Sequence, residues 1–91
     1  MKVGDVYSYG FNRTKPINHA LIVSAKDNSA IVIPITYDKT FTNKFSLELI
    51  SNVGKCFAIL ELQQTVNIDD LGRHTDTITM EELSKVYNRI A

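Results

Sequence analysis

The chain has 91 residues, of which 44% are hydrophobic and 22% are charged. This length suits one hydrophobic core and leaves no room for a second domain, and the composition lies outside the polar, highly charged range of disordered chains. We therefore predict one folded domain over residues 1–91, without an internal disulfide because Cys56 is the single cysteine.

Charge is balanced overall but differs between the two halves of the chain. Residues 1–45 carry six Lys or Arg and three Asp or Glu, whereas residues 46–91 carry four and seven, so the net charges are +3 and −3. This excess is smaller than the basic footprint of many nucleic-acid-binding proteins. No charged and then apolar leader precedes the first strand-like segment, and no apolar run approaches the roughly 20 residues of a membrane span. We expect a cytoplasmic protein that does not bind a membrane.

The first half of the chain predicts three strands. Val3 to Tyr9 mixes β-branched and aromatic residues and is followed by turn-forming residues up to Pro16, which indicates a strand and a polar loop. Two continuous apolar runs, 20–24 and 30–35, flank the turn signal of residues 26–29 and favour a hairpin of buried, central strands. Pro34 lies in the second run and predicts a ladder break or a sheet edge.

The second half predicts further strands and one helix. Residues 45–49 alternate as a half-buried strand does, and residues 55–62 form another apolar strand that residues 63–66 could extend. Asn67 and Gly72 bracket a predicted single helical turn, as N-cap and stop.

The C-terminal segment is the strongest local signal for a helix. Thr79 and Glu82 have the spacing of a capping box, which predicts a helix start. An apolar stripe at helical spacing follows, for packing on the sheet or at a subunit contact. Its members are Met80, Leu83, Val86, Tyr87 and Ile90. The predicted fold class is therefore mainly β, a small barrel closed by one C-terminal helix.

Several chemistries lack the sequence patterns that they need. His19, His74 and Cys56 are too few and too scattered for a structural zinc site. The four glycines stand singly, so neither a phosphate-binding loop nor a dinucleotide fingerprint is present. We expect neither a metal nor a cofactor.

An ordered set of segments resembles the MazF/PemK endoribonuclease toxins of toxin–antitoxin systems. The matching segments are Gly4-Asp5-Val6-Tyr7, His19-Ala20-Leu21-Ile22-Val23, Val32-Ile33-Pro34-Ile35-Thr36, Phe45-Ser46-Leu47-Glu48-Leu49, Ile59 to Val66 and Ile78 to Val86. The resemblance implies an SH3-like barrel of the MazF, PemK and CcdB type that forms a homodimer. It also implies metal-independent cleavage of RNA, by attack of a ribose 2′-hydroxyl on the adjacent phosphate, and an antitoxin whose disordered segment covers the active face.

The resemblance also implies site residues. Members of the family carry a Thr or Ser just after the third strand, where Thr36 stands, and a hydroxyl there can bind a phosphate oxygen. Their Arg-Pro pair before the second strand aligns with Asn18 and His19. His19 is therefore predicted as the catalytic acid or base together with Thr36, because its ordinary pKa is near neutrality.

Other residues are predicted to contact the RNA. Arg13 or Lys15 would supply the cation for the phosphate from the loop before the second strand, beside Asn18. Gln64 stands where the family commonly has a basic residue, which we expect to weaken phosphate affinity.

A second class of function fits the same sequence. A catalytically silent barrel could bind a protein or a nucleic acid through the loops at residues 10–19 and 37–44. The absent family Arg and the zero net charge favour this alternative, whereas Thr36 and the order of elements favour the enzyme. Each predicted site residue also has a purely structural interpretation. Thr36 would end a strand and form the hydrogen bonds of a turn, and His19 would form a hydrogen bond with the backbone at the start of a strand. Arg13 and Lys15 would be solvated charges of a loop.

Overall fold

The computed structural model describes residues 1–11 and 17–90, which form a mainly β fold of seven antiparallel strands and one C-terminal helix. The strands are β1 (Asp5–Ser8), β2 (His19–Lys26), β3 (Ser29–Thr36), β4 (Leu47–Ile50), β5 (Lys55–Ala58), β6 (Gln64–Asn67) and β7 (His74–Thr77), and the helix is α1 (Met80–Ile90). Single 3₁₀ turns occur at Lys39–Phe41, Leu60–Leu62 and Ile68–Asp70.

The strands belong to one curled sheet whose two ends meet. Its order is β4-β5-β3-β2-β1-β7, and β6 pairs with the first half of β3. Ser51, just after β4, forms a bridge with Ile78, just after β7. The N–H of Asn52 also donates to the carbonyl of Thr77 at 3.1 Å. These contacts close the half-barrel and confirm the predicted mainly β architecture with a terminal helix.

The predicted central hairpin is confirmed as β2 and β3. Asp27 occupies the left-handed region in its turn, with φ of 55°. Pro34 lies where the outer partner of β3 changes from β6 to β5. Its carbonyl accepts from the N–H of Ile59 at 2.9 Å, and the N and O atoms of one strand residue point to the same side. The nitrogen of Pro34, which carries no hydrogen, therefore points to the gap between β6 and β5. This is the ladder break that was predicted at Pro34.

Residues 55–66 do not form one extended strand, so that predicted extension is wrong. β5 ends at Ala58, a 3₁₀ turn follows, and β6 begins at Gln64 and pairs with β3 instead of β4. The hydrogen bond from Ile59 to Pro34 ends β5 at the point where the outer ladder of β3 is interrupted. The separate helical turn after Asn67 is confirmed, because the Asn67 side chain accepts from the N–H of Asp69 at 3.0 Å.

The central hairpin separates two hydrophobic cores, because successive side chains of a strand point to opposite faces. Leu21, Ile33 and Ile35 belong to the first core, which α1 covers with Leu83 and Val86. Ala20, Ile22 and Val32 belong to the second core, together with Phe11, Ile17, Ile59 and Val66. Whether two residues of β2 and β3 share a face is therefore fixed by their register.

Half of the predicted capping box is confirmed. The Thr79 hydroxyl accepts from the N–H of Glu82 at 3.3 Å, which caps α1. The Glu82 carboxylate does not return to Thr79 as predicted. It accepts from the N–H of Ile50 at 2.8 Å and contacts Lys85 Nζ at 2.8 Å. The reason is that β4 is a sheet edge, whose free N–H groups attract acceptors.

The apolar stripe of α1 is confirmed at its centre but not at its start. Leu83 and Val86 are fully buried, and Tyr87 and Ile90 pack against the same core. Met80 is 65% exposed, so it does not pack on the sheet, and its alternative place at a subunit contact stays a prediction. In the described part of the chain, no helix has the length and apolar character needed to cross a bilayer.

Gly4, just before β1, lies where the backbone comes very close to the carbonyl of Ile78. Its φ is +95°, and an added Cβ would lie 2.7 Å from the carbonyl oxygen of Ile78. Gly4→Ala is therefore expected to lower the free energy of unfolding by about 1–3 kcal/mol. Urea denaturation measures this, with Gly10→Ala as the control, because a Cβ at Gly10 meets no neighbouring atom. An equal effect of the two substitutions would contradict this explanation.

Candidate functional site

Four polar side chains meet at one end of the first core: His19, Tyr37, Thr75 and Asp76, called here the His19 cluster. His19 begins β2, Tyr37 follows β3, and the other two belong to β7. The His19 ring lies edge-on to the ring of Tyr37, with centroids 5.0 Å apart and an interplanar angle of 89°. The Tyr37 hydroxyl donates to Oδ2 of Asp76 at 2.6 Å. The cluster thus connects β7 with the start of β2 and with the residue that follows β3.

A bulge in β7 shapes the cluster. Val6 pairs with Asp76 and Tyr7 pairs with His74, so Thr75 is the extra residue. The bulge lets two successive residues reach the same side: Thr75 contacts His19, and Asp76 contacts Tyr37. His74 instead lies beside Tyr7, with ring centroids 5.5 Å apart. Bulges commonly redirect side chains beside functional sites.

Asp76 is a buried carboxylate that the fold supplies with donors. It is 5% exposed, and its Oδ1 accepts from the N–H of Thr77 at 2.7 Å and of Val53 at 3.2 Å. Burial raises its pKa, but the hydrogen bonds from Ser51, Tyr37 and these backbone groups outweigh that effect, so the pKa lies below its ordinary value. The carboxylate is therefore ionised at neutral pH.

Tyr37 is held in its neutral form by the same arrangement. Burial first, and then the hydrogen bond and the charge of Asp76, raise the pKa of the Tyr37 hydroxyl far above its ordinary value. The hydroxyl proton stays between the two side chains. Tyr37 is therefore a neutral side chain, held by its hydrogen bond to Asp76, and the His19 ring packs against it.

His19 has the properties of a neutral base. Its Nδ1 lies 3.5 Å from the Thr75 hydroxyl oxygen, and that hydroxyl donates to the carbonyl of Val6 at 3.3 Å. The Thr75 oxygen is thus left to accept from Nδ1–H, which favours the tautomer with a lone pair on Nε2. Burial lowers the pKa of His19, and the Asp76 charge opposes this only in part. The ring is half-buried and neutral at pH 7.

Thr36 is not brought together with His19. Ile35 pairs with His19, so these two side chains share a face of the sheet, and Thr36 points to the other face. Thr36 is 5% exposed, and its hydroxyl oxygen accepts from the N–H of Asp38 at 3.1 Å. Its contacts are those of a residue that satisfies a turn, and its catalytic role stays a prediction.

The other predicted site residues are dispersed. Asn18 is exposed beside His19, and its carbonyl accepts from the N–H of Tyr9 at 3.0 Å. Gln64 pairs with Val32, a residue of the second core, and its side chain donates to the carbonyl of Leu62 at 3.2 Å. It therefore lies away from the His19 cluster. Arg13 and Lys15 lie outside the described residues.

Three members of the His19 cluster were not predicted from the sequence. Tyr37 adjoins Thr36 in a polar segment without a sustained period, which predicts only a loop. Thr75 and Asp76 lie in His74-Thr75-Asp76-Thr77, which has no apolar alternation and predicts no strand. A strand this polar is recognised only through its pairing with β1, which no local pattern shows.

The arrangement is suited to proton transfer rather than to metal binding or thiol chemistry. Within residues 1–11 and 17–90, no group of three or more His, Cys, Asp or Glu side chains is placed to hold a metal ion. Cys56 is fully buried, and burial followed by the Asp76 charge raises the pKa of its thiol to about 12, so it is unreactive. Comparison of the chain with models of protein families and with curated proteins finds no match.

Proposed function

We propose that the protein is a metal-independent endoribonuclease with an SH3-like barrel of the MazF/PemK type, and that His19 transfers the proton. The observation that supports this most is the His19 ring, which is half-buried, packed against Tyr37 and in contact with Thr75 through Nδ1. A histidine oriented in this way offers Nε2 as a base at neutral pH, where general base catalysis is most effective.

The reaction needs one proton acceptor and one proton donor. Nε2 of His19 takes the proton of the ribose 2′-hydroxyl, and the 2′-oxygen bonds to the adjacent phosphorus. The bond from phosphorus to the 5′-oxygen breaks, and this oxygen gains the proton of the imidazolium, directly or through one water molecule. The products are a 2′,3′-cyclic phosphate and a 5′-hydroxyl, and deprotonated His19 is restored.

Charge on the phosphate must be stabilised during this step. We assign that task to Arg13 or Lys15, which precede His19 in the sequence. Thr36 receives a positioning role, because its hydroxyl fixes the turn at Asp38, directly after Tyr37. Asn18 is available beside His19 for a further hydrogen bond to RNA. Gln64 is too distant from the cluster for a direct role at the reacting phosphate.

The order of elements supports the same class. A mainly β sheet that is closed by a C-terminal helix has the arrangement that the resemblance to MazF/PemK toxins implies. We extend the proposal to the other properties of that class: action in the cytoplasm, a homodimer, and an antitoxin partner that covers the RNA-binding face.

One observation favours a second candidate, a catalytically silent barrel that binds RNA or a protein. The two residues predicted to act together, Thr36 and His19, lie on opposite faces of the sheet. Such a protein would keep the cluster as a structural feature of β7 and would bind without cleaving.

Incubation of the purified protein with a long RNA of mixed sequence in EDTA tests the proposal. We expect discrete fragments with 5′-hydroxyl and cyclic phosphate ends, because the mechanism uses the 2′-hydroxyl and no metal. The same RNA with 2′-O-methyl groups should stay intact, since it lacks the nucleophile. Intact unmodified RNA after long incubation with folded protein would reject the nuclease and favour the binding protein.

A further inference from the structure

Phe45 presents an aromatic ring to solvent just before β4. It is 56% exposed, and Nζ of Lys44 lies 5.1 Å from the centroid of its ring. The buried residues of the two cores are mainly aliphatic. A Phe this exposed contributes little to folding. An accessible ring beside an ammonium group is instead the pairing on which single-stranded nucleic acids stack and are held.

Several hydrogen bonds fix the turn that carries Phe45. The Asn43 side chain accepts from the N–H of Phe45 at 2.8 Å and donates to Glu61 at 2.8 Å. Asn43 and Ser46 also exchange two hydrogen bonds of 3.1 Å each, one in each direction. The ring is thus displayed from an ordered turn, which lowers the entropic cost of ligand binding.

The charges around this ring are mixed. Asp38 and Glu61 accept hydrogen bonds from neutral groups of Thr40 and Asn43 and keep their negative charges, whereas Glu48 lies 3.6 Å from Lys55. In the described part of the chain, Lys39 and Lys44 make no ion pair. Their ammonium groups are therefore available to phosphates.

Phe45 lies two residues before a row of paired residues that leads from β4 to the start of β2. Leu47 pairs with Ala58, Ala58 with Ile35, and Ile35 with His19, so these residues form one row across four strands. Neighbouring strands lie about 4.8 Å apart, which places Leu47 within roughly 14 Å of His19. Phe45 precedes Leu47 by two residues, so one RNA strand could reach both positions.

We propose that Phe45 and Lys44 form a subsite that stacks one base of single-stranded RNA while its scissile phosphate lies at His19. This inference rests on the proposed function for the location of the phosphate. The ring binds the base through its face, and the Lys44 ammonium group holds the adjoining phosphate. The subsite selects for unpaired strands, because a base inside a duplex does not expose its face.

A tryptophan reporter tests the subsite without relying on cleavage. The chain contains no Trp, so Phe45→Trp places a single fluorophore at the proposed contact. A 2′-O-methyl oligonucleotide of mixed sequence serves as the probe, because it cannot be cut by 2′-hydroxyl attack. We expect saturable quenching in F45W and none in Ile50→Trp, a matched control whose native side chain is 50% exposed.

Affinity measurements complete the test. Fluorescence anisotropy of the labelled oligonucleotide should show binding by Phe45→Ala roughly 5- to 100-fold weaker than by wild type. Lys44→Gln should weaken binding and reduce the slope of log affinity against log salt by about 1. Equal quenching in F45W and I50W, or unchanged affinity in F45A, would overturn the subsite.

The outcomes separate the subsite from the nuclease. Cleavage of RNA by wild type without quenching in F45W would overturn the subsite and leave the proposed function standing. Quenching in F45W without cleavage by wild type would support the subsite and reject the endoribonuclease.

Discussion

His19→Ala is expected to lower the rate of RNA cleavage roughly 10²- to 10⁴-fold, the usual contribution of a positioned general base. The reason is that His19 holds an unprotonated nitrogen in a half-buried position, with Nδ1 beside Thr75 and the ring against Tyr37. Single-turnover cleavage of a defined RNA in EDTA measures the effect. Thr36→Ala should cost less than 10-fold in this assay, because its hydroxyl contacts the Asp38 backbone.

The pH dependence of the same rate provides a second readout. Neutral His19 is the base, so the rate should fall as the pH drops through its pKa, which burial holds below the ordinary value for histidine, about 6.5. A rate that is flat from pH 5 to 8, or a T36A variant as impaired as H19A, would contradict the assignment of the base.

Asp76→Ala is expected to lower the free energy of unfolding by roughly 3–4 kcal/mol, the largest stability effect outside the apolar cores. The carboxylate accepts from the Tyr37 hydroxyl and from two backbone N–H groups, and its removal leaves these donors without their partner in the protein interior. Urea denaturation followed by circular dichroism measures the change. Asp70→Ala, at an exposed acid of a 3₁₀ turn, should stay within about 0.5 kcal/mol of wild type.

Two further results separate the hydrogen bonds of Asp76 from a general effect of the substitution. In a Tyr37→Phe background, D76A should cost measurably less, because one of the donors is already gone. The pKa of Asp76 is lower in the folded than in the unfolded state, so its contribution is complete at neutral pH and is lost as the pH falls through the folded value. An Asp76→Ala variant that shows the same acid sensitivity as wild type would contradict the account.

Much of the fold follows from local patterns in the sequence. The hairpin of β2 and β3 combines two apolar runs with a turn signal, and the start of α1 combines a cap with an apolar stripe. Pro34 also acted as predicted, because the absence of an N–H has a local consequence. What failed depends on distant partners: Glu82 bonds the edge of β4 instead of Thr79, and residues 55–66 divide because β3 changes its partner.

The site was less predictable than the fold. The prediction of His19 depends on the resemblance to the MazF/PemK family and on the ordinary pKa of histidine. The structure adds its contacts with Tyr37 and Thr75, which no local pattern shows. Asp76 lies 57 residues from His19 in the sequence, and the bulge at Thr75 is what brings both residues of β7 to the cluster. The separation of Thr36 from His19 depends on strand register, which the apolar runs alone left undetermined.

The most direct test of the account compares the two histidines of the chain in one assay. Wild type, His19→Ala and His74→Ala are incubated with the same RNA in EDTA, and 5′-hydroxyl ends are counted over time. His74 lies beside Asp5 and Tyr7, outside the His19 cluster, so H74A should cut like wild type while H19A loses activity at least 100-fold. Equal activity of all three proteins, or equal loss in both variants, would contradict the assignment of His19 as the proton-transfer residue.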